Sequence, residues 1–183
     1  MMKVFSLFLV MLFNLNCAVS QEFYKKEIKN LSKIKAMPYI PELSGDDFFW
    51  DAVKCKIDIV SYLIEMIDNE KKVKANVHYY GGNFTVGDVA YHVIMEIIRD
   101  IPTLDFLKQW KGFDENNGYG NYWNYVRESK ENRKSFKIKV KQWYEANKVF
   151  LVWIEDSKFY LKEDKEGAKR YQHPAGGYYK LKQ

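Results

Sequence analysis

Cysteine is scarce in this sequence: of 183 residues only Cys17 and Cys55 carry a thiol. A leader ending near Ser20 takes Cys17 with it. The mature chain then holds one thiol and cannot form an intrachain disulfide. Packing has to supply the stability, and Cys55 reads as a small buried hydrophobe. Histidine is scarce too, and His78, His92 and His173 stand far apart in the chain. A structural zinc centre takes roughly four ligands, and the spacing gathers no such set, so no metal or cofactor is expected. The chain also lacks a glycine-rich phosphate cradle, a Gly-x-Ser-x-Gly elbow, a Cys-x-x-Cys pair and a His-Glu-x-x-His helix. Its carboxylates are scattered and single out no pair for glycoside hydrolysis. Beyond Leu15 no apolar run approaches the ~20 residues that span a bilayer. No transmembrane segment is expected in the mature chain.

The start of the chain has the three parts of a secretory leader. Lys3 supplies the positive end, Val4 to Leu15 the apolar run, and Ala18-Val19-Ser20 the small residues before a cut at Gln21. Residues 1–20 are therefore read as a signal peptide and the product as exported, periplasmic or secreted. A rival cut before an acylated Cys17 fits less well, because Asn14 and Asn16 hold the places of the usual Leu and small residue. The formal charge of +5 falls to about +4 without Lys3. That permits weak attraction to anionic lipid or a cell-wall polymer and does not call for nucleic acid.

The strongest structural signal is Thr85 to Pro102, TVGDVAYHVIMEIIRDIP. Thr85 suits an N-cap, and Asp88 three residues on can reach back to it. Val86, Val89, Ala90, Val93, Ile94, Ile97, Ile98 and Ile101 form an apolar face at helical spacing. Pro102 sets the expected end. Residues 21–45 read as an N-terminal helix and a linker held extended by Pro38 and Pro41. Residues 46–183 read as one mainly helical domain. In it, Ser44 caps a helix with Asp46 and Asp47 in its first turn, and the helical stretch to Asp68 splits near Lys56 to Asp58. Residues 69–84 form a loop, Thr103 to Trp110 a short helix, and Tyr122 to Asn147 a helix broken near Ser129. Short strands begin at about residue 149, with Glu155-Asp156-Ser157 turning one strand into a second at Lys158 to Leu161.

Two stretches carry a family resemblance. Asp58 to Asp68, IVSYLIEMI between two acids, followed by Phe84-Thr85-Val86-Gly87-Asp88-Val89-Ala90, resembles a family of secreted bacterial helical proteins with no assigned activity. The ending His173-Pro174-Ala175-Gly176-Gly177-Tyr178-Tyr179 resembles their C-termini. The resemblance implies a mostly helical envelope protein with a small C-terminal β element. It implies no catalytic residue.

Three constellations are candidates for function. Asp88, His92 and Glu96 follow at i, i+4 and i+8 on one helical line, where an imidazole and carboxylates can share a metal or move a proton. The competing reading is the wetted stripe of an amphipathic helix. Arg127, Lys130, Lys134, Lys137 and Lys141 would form a positive ridge on an unbroken helix, able to follow phosphates or merely face water. The loop Gly118 to Tyr125, GYGNYWNY, offers Tyr119, Tyr122, Trp123 and Tyr125, with Tyr79 and Tyr80 and the Tyr178-Tyr179 pair as possible neighbours. Such rings stack on sugars and anchor protein interfaces, or pack helix ends.

The expectation is a mainly α protein: an irregular stack of helix pairs, a short HEAT-like arrangement, with a small C-terminal β element. The expected function is non-catalytic binding of an envelope protein or cell-wall polymer. The alternatives are a small metal-assisted hydrolase using Asp88, His92 and Glu96, and a periplasmic immunity-type inhibitor. The leader reading predicts that protein recovered from an expressing bacterium has Gln21 at its N-terminus. Intact-mass and N-terminal peptide analysis checks this, and an acylated Cys17 would reverse the order of the two cuts.

Overall fold

The computed structural model describes residues 22–38, 45–156, 160–162, 169–171 and 173–182. The leader, both candidate cuts, the linker at 39–41, the Ser44 cap, Ser157 and the strand start at Lys158 lie outside them.

The helix at the centre forms because its first turn satisfies its own donors. The Thr85 hydroxyl accepts from the Asp88 N–H at 3.1 Å, and the Asp88 carboxylate accepts from the Thr85 N–H at 2.8 Å. This reciprocal cap starts α4, Val86–Ile97. The helix is buried nearly all round, with His92, Met95 and Glu96 left partly open. It stops short of Pro102. Ile98 is extended and bridges Tyr179, and the Arg99 N–H donates to the Tyr179 carbonyl at 3.1 Å. The apolar period runs on to Ile101, but a distant strand takes the backbone before the proline can act.

Elements from both ends of the chain wrap this helix. Residues 22–30 form α1, and the 3-10 turn Leu31–Lys33 follows it. Leu31 and Ile34 are fully buried, and the Ile34 carbonyl accepts from the Lys74 N–H at 3.2 Å, so this segment docks on the body. Helix α2, Asp47–Lys54, and helix α3, Val60–Met66, are parted by the 3-10 turn Lys56–Ile59, where Lys56 has φ of +57°. The cap position of α2 falls to Asp46, whose carboxylate accepts from the Lys35 N–H at 2.7 Å. The stretch expected as a loop holds an antiparallel pair, β1 (Lys72–Asn76) and β2 (Asn83–Thr85). In β1, Val73 and Ala75 face the core while the polar residues alternate outward.

Thr103 to Trp110 makes successive turns instead of a helix. Asn117 accepts from the Gly120 N–H at 2.9 Å and starts α5, Gly118–Glu128, so the GYGNYWNY stretch is helical and not a loop. Ser129 ends α5 in an extended conformation, and its hydroxyl caps α6, Lys130–Asn147. At the C-terminus β3, Leu151–Glu155, pairs with β6, Gly177–Leu181. Between them in sequence β4, Tyr160–Lys162, pairs with β5, Lys169–Tyr171. The expected pairing of β3 with its immediate successor is thus replaced by a nested arrangement. The protein is mainly helical with small two-stranded sheets, including the C-terminal pair.

One core joins α1 to α6. Its tightest approach lies at Gly87, whose N–H donates to the Asn69 carbonyl at 3.0 Å. A Cβ there would lie 2.1 Å from the Ile67 carbonyl oxygen, which is backbone and cannot swing aside. Gly87→Ala is therefore expected to destabilise by about 2 kcal/mol and lower Tm by roughly 4–8 °C. Thermal unfolding followed by circular dichroism checks it, and an unchanged midpoint would refute the close packing of α4 on the α3 end.

Candidate functional site

The polar line of α4 does not stay together. Asp88 is 1% exposed and turned inward. Arg133 on α6 donates to its two oxygens, Nη1 at 2.9 Å and Nη2 at 3.5 Å. Tyr122 on α5 donates to it at 3.2 Å, and Arg133 also reaches the Thr85 hydroxyl at 3.2 Å. A buried carboxylate paired and hydrogen-bonded in this way is a structural anchor. Burial and the Asp88 charge raise the pKa of the Tyr122 phenol, so it stays the donor.

His92 and Glu96 remain at the surface of a cleft of about 620 Å³. His92 Nδ1 lies 2.8 Å from the Asp88 carbonyl, which can only accept, so Nδ1 carries the proton. The neutral ring then has Nε2 as its lone-pair nitrogen. The ring stacks on Trp123 at 5.8 Å and meets the edge of Phe84 at 5.4 Å. Burial lowers its pKa below the ordinary value, while the Asp88 carbonyl bond and the Asp88 and Glu96 charges oppose this.

The C-terminal turn lies behind Glu96. The Ala175 N–H donates to His173 Nδ1 at 3.2 Å, which places the neutral ring's proton on Nε2. That nitrogen faces Glu96 Oε2 at 3.7 Å. Both atoms are buried, and neither has a hydrogen-bond partner among the described residues. Among the described residues no group of His, Cys, Asp and Glu is arranged to hold a metal ion.

Aromatic side chains build the rim. Tyr79 lies on the hairpin turn between β1 and β2, where positive φ at Tyr79, Gly81 and Gly82 reverses the chain. Arg127 clamps that turn by donating to the Tyr80 and Gly81 carbonyls at 3.1 and 3.0 Å. Tyr79 is 83% exposed and Tyr119, on the first turn of α5, is 50% exposed. Tyr80 touches Tyr119 edge-on at 5.6 Å. On the far side of Tyr119 and His92 lies a second cavity of about 360 Å³, with Met95, Leu104 and Trp123 among its walls. His92 and Tyr119 line both spaces and divide them.

Of the aromatic candidates, the structure brings Tyr79 and Tyr119 together at the rim, with Tyr80 packed edge-on against Tyr119. Tyr122, Trp123 and Tyr125 are core residues, although Tyr122 and Trp123 back the second cavity. Tyr179 packs instead on Trp153 at 5.1 Å. The basic ridge is cut at Ser129, and Arg127, Lys130, Lys137 and Lys141 meet acids or carbonyls. Lys130 pairs with Glu70 at 3.2 Å, Lys141 with Glu65 at 2.7 Å, and Lys137 with Glu65 and Asp68 at 2.9 and 3.3 Å. Hydrogen bonds from Lys141 and Lys137 lower the pKa of Glu65. This is a polar seam between α6 and the α3 end.

Compared with known proteins, the chain matches no family model, no curated protein and no solved structure at a significant level. The site therefore rests on its own geometry. The sequence named Phe84 and His173 only within the resembling stretches and among the histidines, and did not mark them, Met95 or Arg133 as site residues. A signal for Arg133 was present: it stands at helical spacing from Phe136 and Val140, on the packing face, where a charge needs a buried partner.

Removing that partner leaves Asp88 charged and dry. Arg133→Met is expected to cost about 3–5 kcal/mol. Urea unfolding measures it, and a loss below about 1 kcal/mol would assign the pair no more weight than a surface bridge.

Proposed function

We propose that the protein is an exported, non-catalytic binding protein that takes its ligand into the cleft between the β1–β2 turn, α4 and α5. The observation that carries this reading is the convergence of exposed Tyr79 and half-exposed Tyr119 with Phe84, His92 and Glu96 on one concave surface. Large rigid rings beside a few fixed polar groups are the common make-up of ligand sites. Exposed phenols also give contact area at little entropic loss. The hydrolase alternative loses support because Asp88, one third of its polar line, is engaged by Arg133 and Tyr122. Export rests on the leader at residues 1–20. No helix among the described residues is long and apolar enough to cross a membrane. The ligand class in keeping with this location is an envelope polymer or protein.

The test is capture from a fractionated bacterial envelope by immobilised mature protein, with Tyr79→Ala/Tyr119→Ala as the comparison. The expected outcome is one component, identified by mass spectrometry or sugar analysis, retained at least tenfold better by the unaltered protein. Circular dichroism has to show equal helix content in both. Equal capture by the two proteins would reject the cleft as the binding surface.

A further inference from the structure

The chemistry of the cleft narrows the ligand class, and this step rests on the binding reading above. Its lining is mixed in a particular way. Glu96 supplies a carboxylate that only accepts, Asn76 an amide that does both, and Lys35 an ammonium that only donates. His92 adds an accepting Nε2. A cationic ligand would suit Glu96 and the rings but would meet Lys35. An anionic one would suit Lys35 but would meet Glu96. A neutral ligand with many hydroxyls, each both donor and acceptor, satisfies the whole set.

The rings point the same way. A pyranose has one apolar C–H face and a polar edge, which matches a phenol that is apolar in body and polar at its tip. Tyr79 and Tyr119 offer two such platforms at the rim, and Tyr80 backs Tyr119 edge-on. Glu96 has one oxygen, Oε2, buried beside His173, and its side chain also lines the cleft. The two spaces, about 620 and 360 Å³, share His92 and Tyr119 as their common wall. Both fall within the range of small-molecule sites, roughly 300–1,000 Å³. The smaller one is walled mainly by apolar groups, Met95, Leu104 and Trp123 among them, with the Thr103 hydroxyl already engaged by Tyr91 at 2.5 Å. It suits an apolar substituent better than a bare hydroxyl.

We infer that the cleft binds an oligosaccharide of N-acylated pyranoses, with sugar rings on Tyr79 and Tyr119, hydroxyls on Glu96 and an acyl group in the smaller cavity. It holds the glycan without cutting it. Glycoside hydrolysis commonly needs two carboxyl groups about 5–9.5 Å apart. Among the described residues Glu96 is the one carboxylate lining either of these spaces, and Asp88 is tied to Arg133.

The experiment is calorimetric titration of the mature protein with the β-1,4-linked tetramer of N-acetylglucosamine, and with the glucose tetramer of the same linkage. The acylated tetramer is expected to bind saturably, at least tenfold tighter than the glucose tetramer. Tyr119→Ala and Glu96→Gln are each expected to weaken it tenfold or more with unchanged circular dichroism. Leu104→Trp, which fills the smaller cavity from its exposed edge, is expected to erase the preference for the acylated sugar. Equal binding of the two tetramers by the unaltered protein would overturn the acyl assignment. Binding that ignores Tyr119 and Glu96 would overturn the site. No binding at millimolar sugar would overturn the glycan inference. In that case the envelope capture separates the two levels. A protein retained through Tyr79 and Tyr119 leaves the binding reading standing, and capture indifferent to them removes both.

Discussion

Asp88 and Arg133 sit where water has been removed, and each would be ruinous there alone. Taking a carboxylate or a guanidinium out of water costs several kcal/mol per ion even after relaxation. The two-pronged contact offsets that cost only because the remaining lone pairs are also used. The Thr85 N–H and the Tyr122 hydroxyl take them. One carboxylate thus caps the helix that bears it and ties that helix to α5 and α6. A hydrophobic contact in the same place could slide. A forked hydrogen-bonded pair has a direction and fixes register.

The cleft inherits its geometry from that register. Tyr119 and Tyr122 are three residues apart on α5 and so point to neighbouring positions on one face. Tyr122 is bound to Asp88, and Tyr119, one turn away on α5, lines the same spaces as His92. His92 is four residues on from Asp88 along α4, and its ring is fixed by the Asp88 carbonyl and by Trp123. The His92 floor and the Tyr119 side of the rim are therefore set by the buried pair. Arg127, two residues beyond Tyr125 on the same helix, holds the turn that carries Tyr79.

The C-terminus shapes the other end of α4. Strand β6 bonds to the backbone of residues 98–99, and Asp100 accepts from the Leu181 N–H at 2.8 Å. A segment far away in sequence therefore decides where the helix stops. The turn at its start brings His173 behind Glu96. Gly177, with φ of +156° and no room for a Cβ against the Ile154 carbonyl, permits that turn to enter the sheet. The HPAGG ending is thus local chemistry serving a distant side chain.

Local rules sufficed for part of this. The capping box at Thr85, the apolar period of α4, the break near Lys56 and the break at Ser129 all follow from interactions spanning a few residues, so a linear reading can find them. The mainly helical character follows from the same periods. Spacing alone could not say which side of α4 was wet. Asp88 looks like a surface acid until Arg133, 45 residues on, takes it inside. Nor could spacing foresee that β3 would skip its neighbour for β6, because strand pairing is settled by hydrogen bonds between distant segments. The aromatic stretch showed its composition, while its division into exposed Tyr119 and buried Tyr122, Trp123 and Tyr125 waited on the packing of α5. The sequence by itself determined the capping box of α4, the helical periods of α2, α3, α4 and α6, and the supply of rings and charges. Only the tertiary structure decided which of those groups were spent inside and which were left at the surface of the cleft, because burial is a property of neighbours that the chain brings from far away.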